Sequence, residues 1–326
     1  MHKRIANIFL AAIAIFSVAI IPMLSSGIAS AADTSQGLQV SPVIVDLNSE
    51  KGGNYTLKLT ITNVTVNPLD ITATTNDFVS ADDSGNPKIL TDTTAPEGTY
   101  SLRSWVAPIA PLTLQPKQSQ TITVAVNVPA NAESGGHYGV IRFSGVSPKG
   151  QAQVTLNASV GTLLLARVAG NITEKLNVKD MFTEQKGKRG GLFSNGPVNI
   201  VTQVSNTGNV HVKPVGTMTI KDTFGKTVGS YPFGSNIKNV LPGATRRYDQ
   251  EFNKKFLFGR YTAHVEAGYG TTGGVLIGDT TFWIIPIKLI AFVVVFAVLF
   301  ILIFRRLLKR YNRRVVRKAT SKPKEQ

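Results

Sequence analysis

The sequence predicts an all-β protein: two tandem immunoglobulin-like β-sandwiches followed by one C-terminal transmembrane α-helix. Three observations predict it. Residues 38–283 are a series of short runs rich in Val, Ile, Thr, Tyr and Phe, punctuated by Gly, Pro, Asn and Asp, with no convincing helical period. One set of landmarks occurs twice in the same order along that stretch. An apolar run of 23 residues, Phe282 to Phe304, then ends abruptly in Arg305 and Arg306.

Residues 1–31 read as a secretory signal. His2, Lys3 and Arg4 form a basic start, Ile5 to Leu24 is almost wholly apolar, and Ala29-Ser30-Ala31 has the small-x-small pattern of a cleavage site. That tripeptide and the polar Asp33-Thr34-Ser35-Gln36-Gly37 after it favour removal over an uncleaved anchor.

Residues 32–170 hold the first sandwich. Tyr55 to Thr62 alternates apolar and polar with period two, as a half-buried strand requires, and so do Thr121 to Val128 and Gln153 to Val160. Residues 171–281 hold the second, with the boundary near Ala169-Gly170-Asn171. Asn63, Pro68, Pro116 and Tyr138 in the first half answer to Asn206, Pro214, Pro242 and Tyr261 in the second. Each Gly-x-Tyr resembles a tyrosine corner, in which the hydroxyl bonds back to nearby backbone.

Residues 282–304 are read as the membrane span, long enough to cross ~30 Å of hydrocarbon at ~1.5 Å per residue. Trp283 stands where an interfacial aromatic belongs, Lys288 can snorkel outward, and Arg305 and Arg306 open a basic tail, residues 305–326. A signal at one end and a basic tail after a span give one orientation. The sandwiches lie outside the cell membrane and the tail in the cytoplasm.

Charge supports this topology. The chain has 35 Lys+Arg against 19 Asp+Glu, a net +16. Of that, +9 lies in the tail, whereas residues 32–287 carry 22 basic and 18 acidic residues. The excess therefore labels a membrane protein and argues against a nucleic-acid partner; the tail is suited to anionic lipid. There is no Cys, which excludes disulfides, thiolate metal sites and Cys nucleophiles, so packed cores must hold the exported domains.

No motif carries catalysis. The four His are scattered, and neither His-Glu-x-x-His nor Gly-x-Ser-x-Gly occurs. Gly268 to Gly273 matches G-x-G-x-x-G, but a strand follows where a dinucleotide site needs a helix, so it reads as a glycine hairpin. Phe224-Gly225-Lys226-Thr227 lacks the first Gly of a P-loop, and Leu241 to Thr245 breaks the sortase pattern. Ala81 to Pro87 reads as a turn without the ligand spacing of a calcium loop, and Lys186 to Gly191 as a basic solvated loop. Asn54, Asn63, Asn157 and Asn171 open glycosylation sequons by pattern alone. No metal or cofactor is expected.

Three strings in the first half carry a resemblance: Ala73-Thr74-Thr75-Asn76, Ser101-Leu102-Arg103-Ser104-Trp105-Val106, and Val128 to Ile141 with Gly135-Gly136-His137-Tyr138 at its centre. These resemble the peptidoglycan-binding domain of bacterial WxL-interacting proteins, over roughly residues 38–150. The resemblance implies a non-catalytic, membrane-anchored surface adaptor whose first sandwich contacts peptidoglycan or another envelope polymer and whose second meets a surface protein. Candidate ligand contacts are Arg103, Trp105, His137, Tyr138 and Arg142, by stacking and polar contact; Trp105 and Tyr138 also have a purely structural reading as core and corner residues. Two alternatives stand beside it. One is a chaperone-like module that assembles surface proteins by pairing strands at an exposed edge; the other is an envelope hydrolase.

Overall fold

The computed structural model describes residues 37–92, 94–148, 158–234, 239–254 and 258–320. The signal reading, most of the strand expected at Gln153 to Val160, and the last six residues lie outside them.

The first domain begins with β1 (Leu38–Ser41), β2 (Ile44–Ser49) and β3 (Asn54–Asn63). β4 (Leu69–Ser80), β5 (Pro87–Leu90) and β6 (Leu112–Leu114) follow. It ends with β7 (Ser119–Asn127), β8 (Gly135–Val146) and β9 (Ala158–Val168). β1-β3-β7 form a small sheet, and β2-β9-β8-β4-β5, with β6 on β4, form a larger one. The chain changes sheets between β1 and β2: β1 pairs antiparallel with β3, and β2 runs parallel to β9. The period-two reading of β3 holds in detail. Leu57, Leu59 and Ile61 enter the core, while outward Thr60 and Thr62 bond Thr121 and Ser119 across the sheet at 2.9 and 2.7 Å. Ile141 and Phe143 of β8 close the core from the facing sheet.

The second domain begins with β10 (Leu176–Gln185), β11 (Lys188–Arg189), β12 (Leu192–Phe193) and β13 (Val198–Asn206). β14 (Val215–Lys221), β15 (Thr227–Phe233), β16 (Thr245–Phe252), β17 (Gly259–Tyr269) and β18 (Gly274–Ile284) follow. Its sheets are β11-β10-β13-β16 and β12-β18-β17-β14-β15. The G-x-G-x-x-G string is the turn of the β17–β18 hairpin, where Gly270 and Gly273 take φ of 69° and 74°.

The paired asparagines do the same work in both halves. Asn63 Nδ2 donates to the carbonyls of Asn67, Leu114 and Gln115; Asn206 Nδ2 donates to those of Val210 and Val240. Each ties the loop after its own strand to a segment far along the chain. The tyrosines do not match in this way. Tyr261 points inward, and its hydroxyl meets the backbone of Phe258 (3.1 and 3.3 Å), as a corner does. Tyr138 points away from the sandwich core. On β8 the inward positions are Ile141 and Phe143, so Tyr138 stands in the opposite phase of the pleat. The corner expected at Tyr138 is therefore absent.

The boundary expected at residue 282 also moves. β18 continues to Ile284, pairing Phe282 with Tyr261 and Ile284 with Gly259, and Phe282 is fully buried against Phe252 and Tyr261. Helix α1 is Ile287–Thr320, and it is long and apolar enough to cross a membrane. The apolar stretch from Ile287 to Phe304 rises about 27 Å, close to the hydrocarbon thickness. Lys288 lies in its first turn, and Arg305 and Arg306 continue the same helix, all exposed.

Candidate functional site

The larger sheet of the first domain is apolar on both faces. Its inner face packs the sandwich. Its outer face carries Phe78 from β4, Tyr138 and Val140 from β8 and Leu165 from β9, all buried, with Ile89 and Leu163 beside them. An antiparallel sandwich commonly keeps one face of each sheet polar. Here the outer face is covered in part by the second domain, whose Leu241 packs onto the cluster. Thr162-Leu163-Leu164-Leu165-Ala166 breaks the alternation of β9 because both of its faces are buried. That run was the sequence signal for this surface.

The two domains are clasped around it. Gly136 N–H donates to Asn209 O (2.7 Å), and Asn209 Nδ2 donates to Ser134 O (3.2 Å) and Asn171 O (2.9 Å). On the other side, the turn read as plain at Ala81 to Pro87 reaches the second domain. Arg247 N–H and Gln203 Nε2 donate to Asp83 O (2.5 Å) and Oδ2 (3.0 Å), and Arg246 Nη2 donates to Ser84 O (3.2 Å). Gly85 has φ 72°, and a Cβ there would collide with the Arg246 guanidinium, so the turn requires glycine. Asp82 is committed to Ser84, whose hydroxyl and backbone N–H both bond its carboxylate and hold it below the usual carboxylate range. A third tie runs from Arg167 through Glu174 (2.5 Å) to Thr271 in the β17–β18 turn.

Between these clasps lies a cleft of about 200 Å³, walled by Ile44, Phe78, Leu163 and Leu165 of the first domain and by Leu241 and Arg246 of the second. Arg246 is 8% exposed. Its Nη1 donates to Asn239 O (2.6 Å), while its Nε is buried with no acceptor among the described residues. Cross-strand from Leu165, Tyr138 Oη meets His211 of the second domain at 3.3 Å, and His211 meets Asp46 at 3.7 Å. Burial pushes the His211 imidazole below its ordinary range despite the Asp46 carboxylate, and burial pushes the Tyr138 hydroxyl up. The neutral pair fits Tyr138 donating to Nδ1.

Next to the cleft, across Phe78 and Tyr138, is a second cavity of about 420 Å³. Tyr100, Asp92, Lys88 and Arg103 line it. Of the five residues singled out in the sequence, Arg103 and Tyr138 border this cavity. Arg103 also staples its rim, donating to Ala95 O (2.9 Å) and pairing with Glu97 (3.3 Å). Trp105 and His137 do not present a stacking surface. Trp105 is 6% and His137 4% exposed, their rings lie 4.4 Å apart in the interior, and both His137 nitrogens meet backbone carbonyls, of Ser101 and Glu133. Arg142 lies half-buried on β8, cross-strand from Thr74 and Gly161. The cleft residues Ile44, Phe78, Leu163, Leu165, Leu241 and Arg246 were not legible as a group, because the contact that assembles them joins positions up to about two hundred residues apart.

No family model and no curated protein sequence matches the chain. Among solved structures, it is similar to the class 5 fimbriae chaperone CfaA at 13% identity, with a TM-score of 0.40, over 75% of this chain and 99% of that one. It is similar to the E. coli chaperone DraB at 13% identity, TM-score 0.34, over 76% and 95% of the two chains. A chain of the Salmonella enterica SafA pilin–SafB chaperone complex matches at 13% identity, TM-score 0.33, over 76% and 97%. At such identity the likeness assigns no activity or partner to this chain. Among the described residues no group of three or more His, Asp or Glu is arranged to hold a metal ion.

Proposed function

We propose that this chain is a membrane-anchored, non-catalytic assembly module that receives an extended segment of a surface protein along the first domain. The carrying observation is the apolar outer face of the large sheet, open beside the second domain as a cleft of about 200 Å³. That volume is below the ~300–1,000 Å³ of typical small-molecule pockets and suits one or two side chains of a longer ligand. β2 borders the cleft at Ile44 and pairs only with β9 among the described residues, so its other edge is available to a partner strand. Main-chain pairing would supply affinity, and the cleft would select side chains. Helix α1 anchors the module, with the basic tail on the cytoplasmic side.

The test is a photo-crosslinking residue at Ile44, 42% exposed, compared with one at Val66, 77% exposed on the β3–β4 loop. In cells, Ile44 is expected to capture one dominant extracellular protein, with cross-links confined to a short extended segment of it. Equal capture from Val66 would sink the reading.

The cavity at Arg103 favours a second reading, a saccharide of the envelope, because about 420 Å³ falls within the small-ligand range and its walls combine Tyr100 with charged groups. The protein would then co-sediment with purified sacculi, and Arg103→Ala would reduce the bound fraction severalfold with the fold retained by circular dichroism. Unchanged sedimentation of Arg103→Ala, or none by the parent chain, counts against it. Trp105 is unsuitable for this test, since its truncation would empty the core.

A further inference from the structure

The end of the second domain nearest α1 is built unlike the rest of its surface. β18 ends at Ile284 and α1 begins at Ile287, so two residues join the sandwich to the helix. Such a tether holds that end of the domain close to whatever surface α1 enters. The registers show what faces it. Ile284 pairs with Gly259 and Trp283 with Arg260 at the start of β17. The β14–β15 turn stands at the same level, because Thr223 Oγ1 both donates to Arg260 O and accepts from Arg260 N–H, each at 3.0 Å. Phe224 follows at the tip of that turn.

Phe224 is 94% exposed and Phe258, which precedes β17, is 70% exposed; Trp283 is 47% exposed. Around these aromatics stand exposed cations: Lys226 in the same turn, Lys254 after β16, Arg260, and Lys186 and Lys188 at the β10–β11 turn. The Asp222 carboxylate is turned into the β14–β15 loop, where it accepts from the N–H groups of Phe224 and Lys226. Exposed aromatics ringed by cations on the face nearest a membrane helix match the chemistry of the headgroup layer. The rings suit its apolar–polar boundary and the cations its phosphates. The motif at Phe224-Gly225-Lys226-Thr227, which holds no nucleotide fingerprint, gains a role in this arrangement.

We infer that this end of the second domain is a membrane foot: Phe224 and Phe258 insert at the bilayer interface, and the surrounding Lys and Arg engage anionic phospholipid. The foot fixes the tilt of the sandwiches over the bilayer and so sets the height at which the first domain is presented. The inference rests on α1 being a membrane span.

The chain has no Cys, so single-cysteine variants of the full-length protein need no background removal. An environment-sensitive fluorophore is attached at Phe224→Cys, Phe258→Cys, Val275→Cys and Val294→Cys. Each protein is reconstituted in phosphatidylcholine–phosphatidylglycerol vesicles with lipids spin-labelled at graded depths. Val275 lies at the far end of β18, roughly 30 Å from Ile284 along an extended strand, and Val294 lies within α1. Positions 224 and 258 are expected within about 5–10 Å of the headgroup boundary, with position 275 unquenched and position 294 quenched by the deepest label. Quenching at 224 and 258 no greater than at 275, with 294 still quenched, overturns the foot and leaves the anchor standing. An unquenched 294 overturns both. Replacing phosphatidylglycerol with phosphatidylcholine should weaken quenching at 224 and 258 and not at 294; an unchanged response would remove the anionic-lipid part.

Discussion

Replacing Phe282 with alanine is expected to destabilise the second domain by about 3–5 kcal/mol, the usual cost of deleting a fully buried phenyl ring. That is a large share of the ~5–15 kcal/mol that holds a domain of this size. The ring is fully buried, stacked on Tyr261 at a 5.6 Å centroid distance and edge-on to Phe252 and Phe193 at 6.1 and 6.4 Å. Those neighbours come from β12, β16 and β17 and cannot all collapse into the space left. Phe292→Ala, ten positions on and 70% exposed on α1, removes the same atoms from a surface with no protein packing. Denaturant unfolding of the full chain in detergent, followed by an environment-sensitive fluorophore on Val275→Cys of the second domain, measures both. The substitution at Phe282 should lower the midpoint sharply and the one at Phe292 should leave it nearly unmoved. Equal small effects would return residue 282 to the membrane span, where the sequence had put it.

That misplacement has a physical origin. Phe282, Ile284 and Ile285 are apolar for a sandwich and Ile287 onward is apolar for lipid, so hydropathy sees one run. The boundary survives in the sequence only as Pro286 and as the inward alternation of Phe282 and Ile284 around outward Trp283. What depends on local period was legible: β3, the inward half of β7, the β17–β18 hairpin, and the helix itself. The paired asparagines were legible as a repeat, although their bonds were not. What depends on phase or on distant partners was not legible. Tyr138 satisfies the same tripeptide as Tyr261, yet one step of the pleat turns it toward His211 of the other domain. The string Ala81 to Pro87 contains every ordinary turn residue, and nothing local says that Asp83 and Ser84 are met by Gln203, Arg246 and Arg247. The candidate site fell mainly in that second category, because it lies between domains.

The buried asparagine of the second domain gives the other large effect, and its counterpart provides the control. Asn206 Nδ2 donates to the carbonyls of Val210 and Val240, both at 2.7 Å, and its Oδ1 accepts from Gly208 N–H at 2.8 Å. Asn206 is 1% exposed, Val210 fully buried and Val240 1% exposed. Asn206→Ala leaves the buried Val210 carbonyl without its partner, removes one of two N–H donors to the Val240 carbonyl, which keeps Val212 N–H, and frees the part-buried Gly208 N–H; it is expected to cost about 2–4 kcal/mol. Asn63→Ala should cost roughly half as much, about 1–2 kcal/mol, because one of its acceptors, Asn67, lies at the exposed surface and can be hydrated. Asn206→Asp sharpens the test through pH. One carboxylate oxygen keeps the Gly208 N–H, but the other, in this buried site, has no hydrogen to give and faces two carbonyl oxygens, so burial and repulsion favour the protonated acid in the folded state and its pKa rises above the unfolded value near ~3.9. A raised carboxyl pKa means that the folded state binds the proton more tightly. The variant should therefore lie nearest the parent below pH ~4 and lose stability as pH climbs from there through the folded pKa. Midpoints measured from pH 3.5 to 8 should diverge in that direction, with Asn206→Asp below Asn206→Ala at neutral pH. A pH-independent gap between Asn206→Asp and the parent chain would mean that the carboxylate reaches water, and that the loop tied by Asn206 opens more readily than its hydrogen bonds imply.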